Sequence, residues 1–377
     1  MAEVKSLRTD QWTDPPGAGA TPRDSTRTTT GANFGLGWLR GRALVRWAGV
    51  ALGIYLAVVI ALGFYWSQPP PTFDVVSSAM IRGDTRLQEE LVAGFVTGAT
   101  VTRIAWTLLN KPGGYIYNDI LLPGAVLDNM PAWEFGVLTA VRDITLVMRN
   151  DFSRSQSQSL EDPDLAYAQP QFNFDADSWI LPATEDEYAK GIAAMEDYLV
   201  RLQMTNTAGG RPENPAQFFV RSDNMRDWMN FVIKRLGNYS QRLSAAVGRV
   251  DFATVDEPRL QSTEPGSYTE MKAMVTKTPW LEVDNVYYEA RGYGWALLHI
   301  MEALEHDFRS LLANKNAEVS MLQVIRGLRQ AITEMYSPIV LNGEIYGVFA
   351  NHSLTMASFL AQANAAAIDL RNLLMEG

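Results

Sequence analysis

The chain has no cysteine among its 377 residues. That absence removes disulfides, iron–sulfur clusters, thiolate zinc sites and cysteine nucleophiles together. It leaves the compartment open, because a cysteine-free chain suits oxidising and reducing spaces alike. Histidine is nearly missing as well, with only His299, His306 and His352. Positive charge is not in excess either: the formal net charge is −10, where nonspecific nucleic-acid binding needs a basic footprint. No G-x-S-x-G, H-E-x-x-H or P-loop pattern occurs. Strict alternation of β-branched residues is absent, and so is any repeat of fixed period.

What is present is apolar and helical. Hydrophobic residues make up 47% of the chain, enough for a substantial core, and ten tryptophans add bulk suited to cores and interfaces. From Trp47 to Tyr65 the chain reads WAGVALGIYLAVVIALGFY without a charge. A helix of that length crosses a hydrocarbon core of about 30 Å. Trp47 at one end and Phe64, Tyr65 and Trp66 at the other occupy the positions of interfacial anchors. Arg40, Arg42 and Arg46 precede the run, and no Lys or Arg follows it until Arg82. The positive-inside rule therefore places the N-terminus in the cytoplasm and residues from about 68 onward outside it. The run begins too late and is too long for the h-region of a cleaved leader.

This divides the chain into a disordered cytoplasmic tail (1–42), a transmembrane helix (43–67), a Pro-rich stand-off spacer (68–73) and an all-α extracytoplasmic domain (74–377). Ser25 to Thr30 in the tail read as solvated residues, with a phosphosite cluster as the functional alternative. Helices are expected over 85–110, 131–152, 185–203, about 285–314 and Ser353 to about 374, and along two further apolar seams, Met225–Val247 and Met321–Met335. Tyr188, Ile192, Met195, Leu199 and Leu202 form a narrow apolar seam after a Thr184-x-x-Glu187 capping box. Met225, Trp228, Val232, Leu236, Tyr239, Leu243 and Val247 form a second, and Met321, Ile325, Leu328, Ile332 and Met335 a third. The segments 153–183 and 251–283 read as long loops. Around Asn342-Gly343 the sequence fits either a small hairpin or an irregular loop. A Gly/Pro/Asn-rich break at 205–215 would permit two bundles, but the seams on either side favour one unit.

Several long words stand out: KPGGYIYNDILLPG, LDNMPAWEFGVL, DFSRSQSQSLEDPDL, QPQFNFDADSWILPATEDEY, SPIVLNGEIYGVFANHSL and ANAAAIDLRNLL. In this order they resemble segments of the bacterial family called domain of unknown function 2333, from about residue 45 to the C-terminus. The resemblance implies a Gram-negative source and an inner-membrane anchor. It leaves the role unassigned and supplies no catalytic residues.

Candidate chemistry is sparse. His299, Glu302 and His306 share one helical stripe and could ligate a metal, but a half-exposed face with a core-facing His299 is the preferred reading. His352 beside Ser353 invites a hydrolase reading, yet adjacent residues do not make triad geometry, and Ser353 fits a helix cap. Asp175, Asp177 and Ser178 begin like a calcium loop that then lacks its Gly and Glu. Gly113-Gly114 and Gly292-Tyr293-Gly294 lack phosphate-loop context, and Arg149 with Arg154 suggests an anion site or a solvated helix end. In LDNMPAWEFGVL, Asp128 and Asn129 suit a helix cap, Pro131 the first turn and Trp133 the core, with Glu134 near the positive end of the helix dipole. No catalytic, cofactor or metal residue is assigned. The functional expectation is a membrane-anchored periplasmic scaffold or adaptor for an envelope protein or cell-wall component, without nucleic acid. The alternative is a periplasmic hydrolase or metal-dependent enzyme using carboxylates or histidine.

Overall fold

A computed structural model describes residues 34–84, 91–155, 159–206, 214–246, 249–254, 271–276, 278–335, 337, 339–344 and 348–376. The Ser25–Thr30 cluster, Val247 and most of the 205–215 break lie outside these residues. Contacts divide the chain into Met1–Leu56 and Ala57–Gly377. The described part of the first unit is the beginning of helix α1, Phe34–Trp66, exposed over Leu44–Leu56. This helix starts at Phe34, within the expected tail of residues 1–42. Within it, Leu44–Trp66 is 23 residues long and apolar enough to cross a membrane.

The second unit is α-helical. After the last turns of α1 come α2 (Val75–Arg82), α3 (Phe95–Asn110), α4 (Asn129–Val147), α5 (Pro163–Phe172), α6 (Thr184–Asn206) and α7 (Ser222–Ser244). A two-stranded antiparallel ribbon follows, β1 (Arg249–Thr254) with β2 (Met271–Thr276), Arg249 facing Thr276. Then come α8 (Val283–Asp307), α9 (Arg309–Asn314), α10 (Glu318–Ala331) and α11 (His352–Met375). Helix α4 lies against α8, α11 against α7 and α10, α5 against α6, and α3 against both α6 and α8. The seams bury as their spacing requires: Tyr188, Met195, Leu199, Leu202, Trp228, Val232, Leu236, Met321 and Leu328 are all in the core.

The structure departs from the pattern where tertiary bonds decide. Segment 153–183 contains α5, begun by Asp162 and Pro163, and 251–283 contains parts of the ribbon and a 3-10 turn at Trp280–Glu282. Both lack the apolar period that marks a helix from sequence. The Thr184–Glu187 capping box does not form, because the Thr184 hydroxyl is turned back onto the carbonyls of Asp175 and Ser178, at 2.8 and 3.0 Å. At the start of α11 the cap is Asn351, whose Oδ1 accepts from Leu354 N at 2.8 Å. Ser353 is instead fully buried, its hydroxyl without a partner among the described residues. Around Asn342 the described residues hold one isolated bridge, to Asn351.

The Pro-rich stretch 68–73, expected as a stand-off spacer, is held at both ends. A Cβ at Gly113 would meet the Trp66 ring at 2.8 Å, so Trp66 is seated on the body at one end of this stretch. At the other end Phe73 stacks on His299 with centroids 4.0 Å apart, and the Arg103 guanidinium lies 4.2 Å over the Phe73 ring.

Candidate functional site

Helix α3 ends at Asn110, and the next residue, Lys111, is carried inward with its ammonium fully buried. Pro112, Gly113 and Gly114 then turn the chain, both glycines at positive φ, 89° and 72°. That conformation is open to glycine and costly for other residues. The turn aims two backbone amides at one carboxylate. Glu134 of α4, also fully buried, accepts from Ile116 N at 2.9 Å and from Tyr117 N at 2.7 Å, and it pairs with Lys111 Nζ. Lys111 in turn donates to Gly114 O. Glu134 therefore caps the amides of a loop seventeen and eighteen residues upstream and not those of its own helix. Burial pushes its carboxyl up to about 7, with Lys111 and the two amides pulling the other way.

The loop held by this pair forms one wall of an open cleft of about 580 Å³. The starts of α4 and α8 form the others. Asp119, Asp128, Glu282 and Glu289 line it, with Arg242 from α7. Arg242 is committed to Glu289 in a two-pronged pair, Nη1 to Oε1 at 2.8 Å, so the cleft keeps a surplus of carboxylate. Burial holds the Asp119 carboxyl above its ordinary range, Glu185 adding to the push and Lys111 opposing it. An acidic, open cleft of this kind suits a cationic or donor-rich ligand.

The remaining candidates are drawn into internal bonds. His299 is fully buried: Nδ1 lies 2.7 Å from Trp295 O, and Nε2 accepts from Phe73 N at 3.0 Å. Each nitrogen serves the backbone, and burial lowers the imidazole to about 4, so the ring is neutral. Glu302 pairs with Arg329 at 2.6 Å, and His306 turns towards Asp307. His352 Nδ1 accepts from Leu341 N at 3.0 Å while its own amide donates to Leu341 O at 2.9 Å. The Asp175–Ser178 loop is held by Thr184, and Ser178 O also accepts from Asn118 at 2.9 Å. Arg149 binds Glu161 and Gln169, and Arg154 binds the Ser159 carbonyl. Gly292 lies where α8 crosses α4, and a Cβ there would overlap the Trp133 carbonyl. Among the described residues, no group of three or more His, Cys, Asp or Glu side chains is placed to hold a metal ion.

Sequence reasoning missed Lys111 as the partner of Glu134. The signal was a lysine directly before Pro-Gly-Gly, where the chain must turn and a long side chain can fold back. It also missed Arg242 and Glu289, which lie on separate helices with no local cue.

A family model described as "Uncharacterized protein conserved in bacteria (DUF2333)" matches residues 40–377. The chain belongs to this family. In this DUF2333 member two of the most distinctive words, KPGGYIYNDILLPG and LDNMPAWEFGVL, are the two walls joined by the Lys111–Glu134 pair. Searches of curated proteins and of solved structures gave no match.

Proposed function

We propose that this DUF2333 member is a single-pass inner-membrane protein whose helical body lies in the periplasm. There it acts as a scaffold or adaptor for an envelope protein or cell-wall component. The anchor rests on the apolar length of Leu44–Trp66 and on the arginines before it. The adaptor reading rests on one observation: the histidines and buried carboxylate that resemble chemistry are bonded to backbone or partners, whereas the open cleft keeps unneutralised carboxylates. A partner docking there would present ammonium, guanidinium or other donor groups.

A photo-crosslinking residue at Ala125, in the cleft wall, tests this in intact cells. One reproducible envelope protein or cell-wall fragment, lost on Asp119→Lys, is the expected product. Capture of abundant bystanders alone, unchanged by Asp119→Lys, would sink the adaptor reading.

A further inference from the structure

Three apolar loop tips remain exposed on the body. Residues 120–122 read ILL, with Leu121 73% exposed; 179–181 read WIL, with Leu181 90% exposed; and Trp280-Leu281 carries Trp280 at 83%. They are neighbours. Asn118 binds Ser178 O at the base of the second tip, and Glu282, beside the third, lines the same cleft as Gly124 and Ala125. Leu181 holds a positive φ of 45°, unfavourable for a leucine, while presenting its side chain to solvent. Clusters of exposed large apolar side chains on a folded surface mark sites of interaction.

The last turns of α1 indicate the partner. A Cβ at Gly63 would sit 3.7 Å from Pro123 and 4.0 Å from Leu127, so the first tip flanks the helix below its end. Val59, Gly63 and Trp66, on one stripe of α1, are half-buried where the rest of these turns is mostly exposed. At a rise of about 1.5 Å per residue, Gly63 lies about 4.5 Å and Val59 about 10 Å below Trp66. The body thus reaches down to the level where the apolar run is still in progress. Tryptophans at two of the tips suit the interface between headgroup and acyl chain. Carboxylates flank every tip: Asp119, Asp177 and Glu282. No Lys or Arg lies within 119–126, 175–187 or 279–289.

We propose that these three tips form a lipid-binding face that enters the bilayer crossed by α1, seating the body on the membrane surface. This rests on the reading of α1 as a membrane span. Burial of apolar side chains drives the seating, and the flanking carboxylates stay in water and limit its depth. Attraction to anionic lipid is not the driving force, because no Lys or Arg lies within these three segments.

The absence of cysteine allows a direct test on the full chain. Single cysteines at Leu121, Leu181 and Leu281 are labelled with a nitroxide in phosphatidylcholine nanodiscs, with Tyr55 in mid-span and Leu160 as controls. Leu160 is 95% exposed and neighbours Glu161, which Arg149 holds beyond the far end of α4. Collisions with oxygen should exceed those with a water-soluble nickel chelate severalfold at 55, 121, 181 and 281, and the order should reverse at 160. Adding phosphatidylglycerol should leave the depths unchanged. If Tyr55 lies in lipid while 121, 181 and 281 lie in water, the lipid face is refuted with the anchor intact, and the tips are left for a protein partner. If Tyr55 itself lies in water, the anchor fails and the proposal with it. Depths that appear only with phosphatidylglycerol would overturn the apolar mechanism.

Discussion

Two buried ionisable side chains, Glu134 and His299, perform the same task from opposite chemistry: each fixes a backbone segment to the core. Breaking a buried pair from one side leaves an uncompensated charge, at a cost of about 3–5 kcal/mol. Glu134→Ala should approach that loss, because it strands the Lys111 ammonium and two amides. Lys111→Met should cost less, since the carboxyl can take up a proton and still accept from Ile116 and Tyr117. Its folded pKa then rises further. A raised folded pKa gives stability present below the unfolded value and lost as pH climbs through the folded one, so Lys111→Met should be strengthened by acid relative to wild type. Urea unfolding of the full chain in detergent micelles measures both variants.

His299 works in the other direction. Its folded value of about 4 lies below the ordinary 6.5, so its contribution is complete above 6.5 and is lost as pH falls through 4. Glu134, raised from 4.5 to about 7, covers nearly the same window with opposite sign, and the wild-type profile conceals both. Comparison with His299→Gln exposes the histidine. The wild-type advantage should grow by about 3 kcal/mol from pH 4 to 6.5, and a constant difference would contradict the neutral, doubly bonded ring.

At the scale of elements, the crossing of α4 and α8 is set by glycine. A Cβ at Gly136 would overlap the Glu289 carbonyl, and one at Gly292 the Trp133 carbonyl, so the two backbones touch. In an isolated helix Gly→Ala gains about 1 kcal/mol. Here the close approach should reverse the sign, with overpacking costing about 1–3 kcal/mol for Gly136→Ala or Gly292→Ala. Thermal unfolding followed by circular dichroism decides it; a raised Tm in either variant would show that the helices have room between them. This crossing also explains why the Gly-Tyr-Gly word is unrelated to phosphate: its glycines face or flank a neighbouring helix.

For the whole molecule, the proposed orientation makes an independent prediction. Protease added to spheroplasts should digest the body and spare residues before α1. Protection of the body would mean that the chain is inserted the other way, whatever the cleft binds. If the lipid face is seated, cleavage should also be slower in the three apolar tips than in detergent-solubilised protein.

The sequence by itself determined the apolar span and the helical seams. Both depend on spacing along the chain, and Tyr188, Trp228 and Trp133 are buried as the period requires. It also marked the turn at Gly113-Gly114 and the start of α4 at Asp128. Only the tertiary structure decided that Glu134 serves a distant loop, that His299 receives Phe73, that Asn351 and not Ser353 caps α11, and that Trp66 and Phe73 are seated on the body. Each of these is a bond between positions far apart in the chain, or a choice between two competent neighbours. Local periodicity carries no information about such partners; they are selected by which donors and acceptors the packed helices leave facing each other.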